Sequence, residues 1–219
     1  MMSFLNDALE FLPILAVGIQ NTLLVTLGSL VLSTGLGLVW AIMRLSKNAA
    51  LSACGATIVN VLRSIPIIVQ LFYIYFVLPE IGVELTALQA AIIGLGIAYS
   101  AYQAEDFRAG IQALDRGQIE AAESLNMSYG LMMRRVILPQ AVKIILPSYG
   151  NTTVMMLKDS SLASTITVGE LSLQGKLLAA STFQNTTVFT LLALLYLVMC
   201  GPLMLANRWL ERRMSVGRH

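Results

Sequence analysis

The sequence has little charge. Only 12% of its 219 residues are Asp, Glu, Lys or Arg, against about 25% in a typical soluble domain, while 57% are hydrophobic. The aliphatic residues fall in long charge-free stretches instead of short periodic stripes. This excludes an ordinary water-soluble domain and points to a chain embedded in a bilayer. Histidine is nearly missing as well. The one copy is the last residue, His219, so no His-based triad or His metal cluster is available. The two cysteines, Cys54 and Cys200, are too few for a disulfide framework, and each reads as a small buried apolar side chain. Ahead of the first hydrophobic stretch stand Asp7 and Glu10 but no Lys or Arg. A cleaved signal peptide has a basic start, so the first hydrophobic segment is expected to stay in the protein. Nothing in a net charge of +2 calls for nucleic acid. The stretch from Gly169 to Lys176 resembles a phosphate loop only superficially. Five residues separate its glycines instead of four, and Leu177 stands where magnesium needs Ser or Thr.

No linker, low-complexity tract or repeat divides the chain, and residues 1–219 are expected to form a single transmembrane domain. Five hydrophobic segments read as crossings, at about 20–43, 54–78, 85–104, 136–157 and 188–205. The first charge-free run, Phe11 to Met43, would be about 50 Å long as a helix against a hydrocarbon core of about 30 Å. An interfacial piece around Pro13 followed by a crossing from near Gln20 is therefore expected. Arg63 and Pro66 interrupt the second segment, and the fourth is irregular, with Pro139, Gln140, Lys143, Pro147, Gly150 and Asn151.

Basic residues give the orientation. Arg44 and Lys47 follow the first crossing, Arg108, Arg116, Arg134 and Arg135 lie between the third and fourth, and Arg208, Arg212, Arg213 and Arg218 follow the fifth. The other side holds only Lys158 and Lys176. The positive-inside rule then puts the N-terminus outside and the C-terminus in the cytoplasm. The longest cytoplasmic connection is the loop 105–135, the natural place for a cytoplasmic partner to dock. On this loop Gln118 to Leu125 reads as a short helix with Glu120 near its positive end. Ile119, Ala122 and Leu125 give it a narrow apolar side, and Asn126 suits a left-handed terminator.

This loop resembles the Glu-Ala-Ala loop of ABC importer permeases. Glu120, Ala121, Ala122, Leu138 and Pro139 match at the family's spacing, with Asn126 in the place of its Gly and Val136 in the place of its Ile. The segment Arg63-Ser64-Ile65-Pro66-Ile67-Ile68-Val69-Gln70 resembles the Arg-Gly-x-Pro-Leu-Leu-x-Gln stretch of the polar amino acid branch. So does Ala98-Tyr99 with Glu105, Arg108, Gly110 and Ile111, although Asp106 is an unusual extra acid. Pro139-Gln140-Ala141 and Lys158-Asp159-Ser160-Ser161-Leu162-Ala163 resemble two further elements of that branch. Together these cover about residues 15 to 212.

The resemblance implies an all-α integral membrane fold with five transmembrane helices, like a type I ABC importer permease, in a bacterial cytoplasmic (inner) membrane. It implies no enzyme activity and no cofactor in this chain, ATP and Mg being bound by a partner ATPase subunit. The implied partners are cytoplasmic ABC ATPase subunits, a second permease subunit (the same or a paralogue) and an extracytoplasmic substrate-binding protein. The cargo is a polar amino acid or an opine. Gly117, Gln118, Glu120, Ala121, Ala122, Leu125 and Asn126 are the expected ATPase-coupling residues. Intramembrane polar groups are costly and mark pathways, so Arg63, Pro66, Gln70, Asn151, Lys158, Asp159, Ser160 and Ser161 are the expected substrate path. A salt bridge and caps at the outer face are the plain alternative for Lys158 and Asp159, and snorkelling is the alternative for Arg63. Ser29, Ser33 and Gly37 read as a helix-packing face. A stand-alone channel or ion-coupled carrier is the rival function. It would need mid-membrane carboxylates, whereas the acids here cluster at span ends.

Overall fold

The computed structural model describes residues 2–215, with side chains described from Asp7 to Met214. Arg218 and His219 lie outside the described residues. The elements are helical throughout: α1 (Met2–Leu45), α2 (Ala49–Ser64), α3 (Ile67–Phe72), α4 (Ala87–Gln112), α5 (Arg116–Ser124), α6 (Tyr129–Met132), α7 (Leu138–Asp159), α8 (Leu171–Thr182) and α9 (Asn185–Ser215). Short π and 3₁₀ turns follow α3, a π turn joins α6 to α7, and a 3₁₀ turn over Ser160–Ile166 leads out of α7.

By length and composition α1 and α9 can each cross a bilayer alone. A third crossing arises if α2 and Ile67–Ile81 are taken together, but that pair is bent by 97°. With 26 and 22 residues, α4 and α7 extend about 39 and 33 Å at 1.5 Å per residue. They are long enough but more polar, because they form the inside of the bundle. Pro13 does not set off an interfacial piece, since α1 runs through it as one helix. One proline removes one backbone bond, and the long apolar stretches on both sides keep the helix going.

The fourth segment is likewise more regular than its composition suggests. With Pro147 inside it, α7 is continuous from Leu138 to Asp159. The real corner is at Ile65–Pro66, where α2 ends in extended backbone. A proline disfavours helical geometry in the residue before it, and Gln70 completes the corner. Its amide donates to the carbonyl groups of Leu62 and Ile65 at 2.8 and 2.9 Å, satisfying acceptors that a helix end leaves free.

Small residues set the packing of α1 on α4. Gly28 meets Ile92, Leu32 meets Gly96, and Gly37 meets Ser100 and Gln103, so the two helices run parallel. A Cβ on Gly37 would stand 3.0 Å from the Ser100 carbonyl oxygen, a tight fit that a larger residue could meet only if α4 gave way slightly. Ser29 and Ser33 are fully buried, and Ser29 donates to the Ile92 carbonyl at 3.1 Å. The packing face expected from sequence is present. In the reverse direction to α4, α7 meets it at Asp159–Tyr99 and Thr152–Asp106, and α9 returns antiparallel along α7. There Asn207 donates to the Pro147 carbonyl and to Asn151 Oδ1, both at 3.0 Å. Gly150 makes this approach possible, because a Cβ would collide with the Asn207 amide. The main core lies between α1, α4, α7 and the Ser160–Ile166 turn, around Val25, Leu71, Leu95, Tyr99, Met156 and Ile166. Cys200 is buried but Cys54 is exposed, contrary to expectation, because α2 turns most of its surface outward. At the end of α9 the Arg213 guanidinium stacks over the Trp209 ring, 4.3 Å from its centroid.

Candidate functional site

Asp115 begins the segment expected to couple to a partner. Its carboxylate accepts from the Gly117 N–H at 2.9 Å, as a helix N-cap does, and α5 follows for nine residues. Asn126 ends the turn with φ of +53°, the left-handed geometry expected of it. The apolar side then divides. Ala122 is 4% exposed and packs within the chain against Met132 and Ile137, with Ile119 and Met127 beside them. Leu125 lies past the last helical residue and is 77% exposed, close in sequence to Tyr129 at 71%. Ala122 therefore faces the chain's own α6–α7 junction and does not offer a bare docking face. Gly117, Gln118, Glu120, Ala121, Leu125 and Asn126 remain exposed. Gln118 also ties the segment to α7, its side-chain oxygen accepting from the Gln140 amide at 2.7 Å.

The expected path residues fall in two separate groups. On α7, Asn151, Met155 and Lys158 lie at i, i+4 and i+7 and form one exposed stripe. Asp159 turns inward and accepts from the Tyr99 hydroxyl at 2.8 Å instead of pairing with Lys158. Ser160 is fully buried, its hydroxyl donating to the Leu157 carbonyl, and Ser161 is half-buried. At the other place, Pro66 and the buried Gln70 build the α2–α3 corner, which gives Gln70 a structural duty. Arg63 neither snorkels alone nor faces α7. It lies over the Tyr102 ring at 5.4 Å and reaches Glu105 at 3.5 Å. Glu105 also receives Arg44, and Arg108 at 2.7 Å. One carboxylate thus gathers guanidinium groups from α1, α2 and α4, tying three helices at one end of the bundle.

Sequence reasoning passed over several polar residues. Asp106, noted only as an extra acid, accepts hydroxyl hydrogen bonds from Ser148 and, at 2.9 Å, from Thr152 of α7. The i, i+4 spacing of Ser148 and Thr152, which puts both hydroxyls on one side of a helix, was the available signal. Glu170 is fully buried and caps α8, accepting from the Ser172 and Leu173 N–H groups at 2.9 and 2.8 Å and from the Tyr196 hydroxyl at 3.1 Å. Nothing in its local sequence distinguishes it from a loop acid. Gln103 is fully buried as well, and neither end of its amide has a hydrogen-bond partner.

The structure is thus a helical bundle with helices long and apolar enough to cross a bilayer and a short capped helix on one connection. Residues 33–216 match the family described as binding-protein-dependent transport system inner membrane component, and the chain belongs to it. A probable amino-acid ABC transporter permease protein, YckA of Bacillus subtilis (strain 168), is 38% identical over 206 residues, covering 94% of this chain and 91% of that protein. The nopaline transport system permease protein NocM of Agrobacterium fabrum is 36% identical over 220 residues, covering 94% and 91%. Among solved structures, an amino acid ABC transporter crystallised with histidines superposes with a TM-score of 0.88 at 35% identity, covering 94% of this chain and 97% of that one. The MetNI methionine transporter in an inward-facing form gives 0.78 at 24% identity, a likeness of fold. The chain is thus an ABC importer permease of the all-helical type I architecture, on the amino acid permease branch.

Proposed function

We propose that this permease carries a polar amino acid or an opine-like compound across a bacterial inner membrane. It works with two cytoplasmic ATPase subunits, a second permease subunit and an external binding protein. ATP and Mg belong to the ATPase, and the chain contributes binding, gating and force transmission without covalent chemistry. In this reading α4 and α7 supply the crossings that α1, α9 and the bent α2–α3 pair leave over. The N-terminus is outside, and the 105–135 loop faces the cytoplasm.

One observation supports the reading most strongly. The coupling segment buries one side on its own chain through Ala122 and leaves Glu120, Ala121, Leu125 and Tyr129 exposed, while Gln118 holds it to the start of α7. A push on the exposed side therefore reaches a helix that crosses the bundle. Leu125 and Tyr129 are the natural anchors for an apolar groove, because aromatic and aliphatic side chains that become fully covered carry most of the energy of an interface. The test is reconstitution in vesicles with the ATPase subunit and the external binding protein. Uptake that needs both ATP and the binding protein supports the assignment. Uptake by the permease alone, driven by an ion gradient, would replace it with a carrier.

A further inference from the structure

We propose that Gln103 is a positioning residue of the transport cycle. It takes the Thr152 hydroxyl from Asp106 when α7 slides about one helical turn along α4. The inference rests on the importer reading above, since a second arrangement of the helices is needed only if the protein alternates between two access states.

Three polar side chains lie along one face of α4. Tyr99 and Asp106 stand one turn to either side of Gln103, and both are satisfied by α7. Tyr99 donates to Asp159, and Asp106 receives two hydroxyl groups, Ser148 and Thr152. Gln103 between them receives nothing and donates nothing, although it is fully buried. Its neighbour on α1 is Gly37, which has no side chain to offer it. Buried amides in folded proteins are nearly always bonded, and a bilayer provides no water in place of a missing partner. A carboxylate supplied twice therefore sits one turn from an amide supplied not at all.

Packed helices change register in discrete steps, and a one-turn step is about 5.4 Å. Because α7 runs antiparallel to α4, sliding α7 toward the Tyr99 end of α4 moves Thr152 from the level of Asp106 to that of Gln103. Ser148 stays within reach of Asp106, which keeps one donor. The same slide parts Asp159 from Tyr99 and frees a carboxylate beside Lys158. At the far end of this contact Ile145 packs directly on Gly110, a contact that the slide must exchange for another. The Gln118–Gln140 hydrogen bond gives the coupling segment a grip on the end of α7 that would move. The orphaned amide raises the free energy of the arrangement described here and so favours the other one.

The test uses the complete complex in vesicles. Gln103→Leu should raise the melting temperature of the complex while lowering uptake by about tenfold or more, since it removes the bias toward the second register. Gln103→His, which keeps a donor and an acceptor, should recover most of the uptake. A merely structural residue would move stability and uptake in the same direction. Register is read in a chain with Cys54→Ala and Cys200→Ala carrying Tyr99→Cys and Asp159→Cys, which keeps Gln103 and Thr152. A short thiol-to-thiol crosslinker should join this pair in the nucleotide-free complex and much less in the nucleotide-trapped state. Wild-type uptake by Gln103→Leu, or crosslinking that is equal in every state, overturns the proposal. If Gln103→Leu does not assemble, the crosslinking result decides alone. Uptake by the unaltered complex reports separately on the importer reading.

Discussion

The two ends of α7 lead into connections built in opposite ways. After α7, the Ser160–Ile166 turn and α8 are wedged among the helices. Leu171 and Leu178 pack with Phe11 and Leu15 of α1 and with Val188 and Leu192 of α9. Backbone and side chains are stitched down: Asn21 donates to the Gly169 carbonyl at 2.8 Å, the Leu171 N–H donates to Thr22, and Glu170 closes the start of α8. Before α7, the segment of α5, α6 and the π turn buries Ala122, Met132 and Ile137 and leaves Leu125 and Tyr129 bare. The connection after α7 is tied down within one chain, although it leaves Leu177 and Phe183 exposed. In the proposed importer the connection before α7 is half an interface, and most of its stability is expected to come from the protein that covers it.

Breaking this contrast should have its largest effect at Ala122. Ala122→Trp puts a large ring against Met132 and Ile137, and overpacking of that kind costs about 1–3 kcal/mol. The coupling segment should lift from its seat. ATP-driven uptake is expected to be lost while the protein stays in the membrane, as read by transport and by immunoblot of membrane fractions. The counterpart after α7 comes next. Glu170→Ala would leave the Ser172 and Leu173 N–H groups and the Tyr196 hydroxyl without their acceptor, at about 1–3 kcal/mol for each buried group left unsatisfied. Melting temperature and yield should both fall, and co-purification with the ATPase should be unchanged in the surviving protein.

The pair Leu125→Ala and Tyr129→Ala should behave the other way round. Exposed side chains contribute within about ±0.5 kcal/mol to the stability of a lone chain, so the isolated permease should melt normally. Retention of the ATPase on a column should weaken by about tenfold or more if these are interface anchors. Unchanged retention would remove them from the docking face. Smallest of all is Glu120→Gln, where one exposed charge contributes about 1 kcal/mol or less. Uptake should drop only partly, and raising the salt concentration should narrow the gap between mutant and wild type.

The contrast also marks what could be read before folding. The membrane class, the small-residue face of α1 and the left-handed end at Asn126 follow from composition, spacing and backbone sterics, all of them local. Residues whose duty is set across helices were not legible. Gln70 reads as a polar group on a pathway and in fact closes a corner. Asp106 reads as a surplus acid and in fact joins α4 to α7. Pro147 suggests a break, yet the corner falls at Pro66, because Ile65 there is already extended and no helix continues through it. The division of Ala122 from Leu125 was hidden as well, since helical spacing cannot say that the helix ends one residue before Leu125.

The Gly150–Asn207 contact carries a consequence for the membrane itself. Since the Asn207 amide holds the α7 backbone at the Pro147 carbonyl, α9 would be drawn along with α7 in the proposed slide. Just beyond this contact α9 carries the Trp209–Arg213 stack, a ring and a cation of the kind that settle at the headgroup layer. Axial travel of α9 then drags this anchor toward or away from the lipid phosphates, and mismatch between helix and bilayer costs fractions of a kcal/mol per Å. In the proposed cycle lipid chain length would then be a thermodynamic variable, and vesicles of thinner and thicker lipids should shift the balance between the two arrangements in opposite directions.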